Sequence, residues 1–107
     1  MVTEVQALIL AVLSYGGESH GHAIGKAMEA RRGKPLGVGT LYKALHALDR
    51  DGLVESQWQP QPKAEFGRPR RRIYEINGAG ERALSEYRDH IETTRRHLRP
   101  SVRGAQA

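Results

Sequence analysis

A chain of 107 residues, 38% apolar and 27% charged, has the size and composition of one globular domain with one modest core. Its seventeen Lys and Arg, thirteen of them Arg, outnumber twelve Asp and Glu, a net charge of +5 that favours anionic partners. The absence of cysteine excludes a disulfide framework, a thiol nucleophile and a thiolate metal site. The longest apolar run, ALILAVL, is far too short to span a bilayer, and no basic leader with a cleavage site opens the chain. The expectation is an intracellular, cytoplasmic protein with no membrane partner.

Thr3 followed by Gln6 has the pattern of a capping box and opens a first helix, about residues 3–15. Val5, Leu8, Ile9, Val12 and Leu13 make its core stripe, while Ala7, Leu10 and Ala11 fall on the other side. A helix apolar nearly all round needs cover from two directions, its own domain and something outside it. YGGESHG is then a turn, from which Ser19 caps a second helix reaching about Arg32, with Ala23, Ile24, Ala27 and Met28 facing inward. RRGKPLG breaks the chain again.

The third helix, about Val38 to Asp51, has two opposed faces. At about 100° per residue, Leu41, Leu45 and Leu48 lie within roughly 60° of one another, with Gly39, Lys43, His46 and Arg50 opposite. Gly52 takes the left-handed position that ends it. LVESQWQ reads as a strand, residues 60–70 as a loop rich in Pro and Gly, and RRIYEI as the returning strand, with Trp58 and Tyr74 facing each other across the hairpin. Asn77 caps a last helix ending at Leu98, in which Leu84, Tyr87, Ile91, Thr94 and Leu98 follow an a/d spacing. Pro100 follows, and residues 99–107 form a flexible tail.

Three helices, a two-stranded hairpin with a cationic loop, and a trailing helix are the elements of a winged helix-turn-helix: a mainly α fold with a small β-hairpin. Residues 1–77 make the DNA-binding domain and residues 78–98 a dimerisation helix. In this architecture the second helix of the turn enters the major groove, and the hairpin loop, or wing, lies beside it. The recognition-helix candidates are Gly39, Thr40, Tyr42, Lys43, His46 and Arg50. Glycine permits close backbone approach, open amides near Gly39 and Thr40 can hold a phosphate, and Lys43 can reach guanine O6 or N7. The wing candidates are Lys63, Arg68, Arg70 and Arg71; Arg68 and Arg70 flank Pro69 and suit a narrow minor groove, whereas Arg72 points back from the strand. Leu10, Leu84, Tyr87, Ile91 and Leu98 are candidate contacts of a homodimer, because one small domain cannot cover both apolar stripes.

Plainer readings compete with these. A polar helix face is usually just solvated, and charges in a hairpin loop also protect an edge strand. The five histidines share no metal-motif spacing, so no metal or other cofactor is expected. Nothing marks an enzyme: there is no phosphate loop, nucleophile elbow or separated carboxylate pair. The rival functions are a non-specific or architectural nucleic-acid-binding protein and a basic adaptor for an acidic protein.

GTLYKALHALDRDGLVES resembles the recognition-helix segment of the PadR family of bacterial transcriptional regulators. HGHAI resembles the family's turn before the second helix, and RRRIYEINGAGERAL its strand-to-helix segment; the likeness covers about Leu8 to Leu84. His22, Lys43 and Asn77 depart from the family's usual tyrosine, proline and threonine. The resemblance implies a homodimeric repressor on double-stranded DNA with a pseudo-palindromic operator, often released by a small-molecule effector.

Overall fold

The computed structural model describes residues 1–60 and 70–98, so the predicted wing residues Lys63 and Arg68 and the predicted tail lie outside the described residues. The elements are α1 (Glu4–Gly16), β1 (Ser19–His20), α2 (Gly21–Arg32), α3 (Val38–Arg50), β2 (Val54–Trp58), β3 (Arg72–Ile76) and α4 (Gly78–Leu98). Helix α1 opens on the predicted capping box. The Thr3 hydroxyl accepts from the Gln6 N–H at 3.1 Å, and the Gln6 side chain accepts from the Thr3 N–H at 3.0 Å.

Helix α1 is the hub on which α2, α3, β3 and α4 all pack. Ile9, Leu10 and Leu13 meet Ile24 and Met28 of α2, Leu45 and Leu48 of α3, and Val54, all fully buried. Much of the second apolar side of α1 is covered from within the chain, which corrects two of the expected dimer contacts. Leu10 is 0% and Leu84 2% exposed, so both are core residues, with Leu84 at the floor of a groove between α1 and α4. Leu10 belongs to the core that α1 shares with α2 and α3, and Leu84 is carried into that core by α4, which returns along α1. Ser14 near the end of α1 donates to Glu81 at 3.2 Å, and Ile91 lies beside Glu4 and Ala7 near its start.

The sheet has three antiparallel strands in the order β1-β3-β2, one more than the predicted hairpin. A two-residue strand carries no periodicity, so β1 left no mark in the sequence pattern. Its presence moves the cap of α2 by one residue. Ser19 is paired with Tyr74, and His20 caps instead, its Nδ1 accepting from the Ala23 N–H at 3.3 Å. The hairpin register also differs from the expected one: Trp58 stands opposite Arg72, and Tyr74 opposite Ser56.

Helix α3 has the predicted division, with Leu41, Ala44, Leu45 and Leu48 buried. Gly52 follows it at φ +74°, the left-handed conformation expected from the sequence. The Asn77 side chain then joins two elements. Its oxygen accepts from the Gly80 N–H at 2.9 Å and its amide donates to the Gly52 carbonyl at 2.9 Å, tying the end of α3 to the start of α4. Gly80 passes so close to Leu53 that any Cβ there would meet the Leu53 carbonyl oxygen.

Candidate nucleic-acid interface

Burying Leu41, Leu45 and Leu48 forces the opposite side of α3 outward. Gly39, Thr40, Tyr42, Lys43, His46 and Arg50 are all exposed. The helix begins at Gly37 with no side-chain cap, so its first-turn amides point outward with the positive end of the helix dipole. A Cβ on Gly39 would meet nothing within 4 Å, so the approach to this end of the helix is open. Arg50 is partly matched in charge by Asp51, at 3.1 Å in an exposed pair, which makes it a weaker free cation than Lys43.

The wing is held to α3 by a polar clasp. Ser56 donates to Asp49 at 2.7 Å, Arg72 Nε donates to Ser56 at 3.0 Å, and an Arg72 Nη lies 3.4 Å from the same Asp49 oxygen. Arg72 therefore points back to the helix, as its strand position suggested. Arg70 and Arg71 remain exposed, with the Arg71 carbonyl accepting from the Gln59 N–H at 2.7 Å to extend the hairpin. The Trp58 ring, 52% exposed, has the Arg72 guanidinium 5.3 Å and the Arg70 guanidinium 6.0 Å from its centroid.

Between the start of α2, the start of α3 and the wing lies a cleft of about 500 Å³. Arg70, Arg71 and Arg72 supply its charge, and His20, His22, Tyr42, Trp58 and Tyr74 supply its flat walls. Burial pushes the Tyr74 phenol up from its ordinary value, with Arg72 opposing, so it stays a neutral hydrogen-bonding group. The structure brings Tyr42, Arg70 and Arg71 together here, while Lys43, His46 and Arg50 continue along α3. The sequence pattern favours packing for Trp58 and marks His20 for no DNA contact. Their joint position depends on β1, which draws the turn before α2 against β3. Among the described residues no cluster of His, Cys, Asp or Glu could hold a metal ion, and no helix is long and apolar enough to cross a membrane.

A helix-turn-helix formed by α2 and α3, flanked by an arginine-bearing hairpin, defines the winged-helix class of DNA-binding proteins. The model of the PadR-like family of transcriptional regulators matches residues 9–86, and the chain belongs to that family. It is similar to the transcriptional regulator Rv3488 of Mycobacterium tuberculosis, 33% identical over 93 residues, covering 86% of this chain and 82% of that protein. A solved transcriptional regulator from Clostridium thermocellum superposes with a TM-score of 0.77 at 25% identity, covering 92% of each chain. A PadR family regulator from Eggerthella lenta gives 0.69 at 27% identity, covering 86% of this chain and 78% of that one. The family is one of DNA-binding transcriptional regulators, not enzymes.

Proposed function

We propose that the chain is a dimeric, sequence-specific repressor that reads its operator with the outward face of α3 and holds the backbone with its wing. One observation carries this reading: the polar face of α3 and the arginines of the wing share one surface, and the Asp49–Ser56–Arg72 clasp fixes their relative position. A flexible wing would lose that register. Tyr42 and Arg71 take the backbone, and Lys43, in the middle of the outward face, takes a base edge.

The second copy seats on an apolar groove of about 450 Å³ between α1 and α4, lined by Leu8, Ala11, Tyr87 and Ile91 among others. Ile91 is 40% exposed and Leu98 lies further out on the same helix, so the apolar stripe runs beyond the protomer's own core. A two-fold dimer of this kind presents two recognition helices to a pseudo-palindromic site.

Footprinting on the DNA upstream of the chain's own gene, followed by titration with salt, tests the reading. The expected result is a protected site bound at least about 10³-fold more tightly than random duplex at the same salt concentration. Equal loss of affinity for both duplexes with no such ratio would assign the chain to non-specific binders, and no shift at any salt would leave the adaptor reading.

A further inference from the structure

His20 lies at the cleft where α2 begins. Its Nδ1 accepts the Ala23 N–H, so the ring caps α2 only while that nitrogen is unprotonated. The next residue, Gly21, is buried against Tyr42: a Cβ there would stand 2.6 Å from the Tyr42 hydroxyl and 2.9 Å from two of its ring atoms. The cap thus fixes the stretch of backbone on which the Tyr42 ring rests. We propose that His20 is a positioning residue of the DNA interface, competent only with Nδ1 unprotonated, so that mild acid releases the α2 cap, unseats Tyr42 and weakens DNA binding. The inference rests on the DNA-binding reading given above.

The surroundings of the ring oppose its protonation. Arg70, Arg71 and Arg72 face it from the wing side, Tyr42 from α3 and Tyr74 from β3, and among the described residues no carboxylate lines the cleft. From the first turn of α2 His22 stacks on it, ring centres 6.3 Å apart and planes 6° from parallel. Burial first, then the charges of Arg71 and His22, hold His20 below the ordinary imidazole value of about 6.5. The capping form therefore prevails at neutral pH, and its loss falls in the acid range below about 6.5. That sign is diagnostic. A bystander imidazole beside phosphates gains a proton on binding and makes the complex tighter in acid.

The test uses a duplex that the wild-type protein selects from a random-sequence pool, with affinity measured between about pH 7.5 and pH 5.5 at fixed ionic strength. His20→Asn caps without titrating, and His20→Ala removes the cap at every pH. The wild-type dissociation constant should rise in acid by up to about fivefold, the size of one N-cap. His20→Asn should match the wild type at neutral pH and bind more tightly in acid, and His20→Ala should be weak throughout. Wild-type affinity that rises in acid as steeply as that of His20→Asn overturns the proposal. Nitrogen NMR of His20 in the free protein separates the two readings. Nδ1 carrying a proton at neutral pH, in a protein that binds its duplex, removes the positioning role alone. No duplex bound at any pH removes the DNA-binding reading and the proposal with it, even where NMR sees the cap intact.

Discussion

Helices α3 and α4 are both amphipathic, yet their outward faces ask for different partners. Helix α3 buries four side chains and shows Gly39, Lys43 and His46; its exposed face holds charge, small residues and open amides. Helix α4 buries only Gly80 and Leu84, and after Arg88 it leaves Ile91 and Leu98 on the surface among Arg, Glu and His. A polar face beginning at an uncapped helix start suits phosphate and base edges, whereas an apolar stripe beside a groove suits another protein surface. What each helix leaves uncovered, more than what it buries, separates the two roles proposed for them, reading and assembling.

Four variants sharpen or break that contrast. Leu45→Ala should act through neither partner: it empties a fully buried site, and chemical denaturation should show a loss of about 2–5 kcal/mol. Ile91→Glu should leave the protomer folded while costing at least about 2 kcal/mol of association, read as monomer by sedimentation at micromolar concentration. A wild-type protein that is itself monomeric there would remove the proposed role of α4. On the other helix, Lys43→Ala should keep the dimer and cost about 1–3 kcal/mol on the selected site, with preference relaxed at one base position. Site selection that returned the parent preference everywhere would move Lys43 to the backbone. The smallest effect belongs to the wing. Arg70→Ala with Arg71→Ala should weaken every duplex alike and flatten the salt dependence by about one to two units of slope.

The long elements were legible because their periods are long. Leu41, Leu45 and Leu48 defined α3, Thr3 and Gln6 started α1, and Gly52 marked the turn after α3. The errors came where a distant partner decides. Nothing local says that α4 returns along α1, so Leu84 read as an interface residue when it is buried in the protomer's own core. Nothing local says that Ser19 pairs with Tyr74, so the cap of α2 read one residue early. The same pairing gathers His20, Tyr42 and Trp58 around one cleft, which explains why a site made of residues from three elements had no signal of its own. The outward face of α3 was readable as a face; which of its residues touch DNA is a matter for the substitutions above.

The return of α4 along α1 has a consequence for how the molecule is made. Synthesis delivers α1 first, yet its cover arrives last: the Ser14–Glu81 bond joins residues 67 apart. Contacts so distant in sequence form only after a long stretch of chain has closed on itself, and they slow folding accordingly. Until Leu84 emerges, Ile9, Leu10 and Leu13 lack one wall of their core, an exposed apolar surface of the kind chaperones hold. The recognition helix and the wing are synthesised inside that interval, before the scaffold that orients them is complete. The proposed reading surface and the proposed assembly surface therefore depend on the same late step, and a chain stopped short of α4 should lose both.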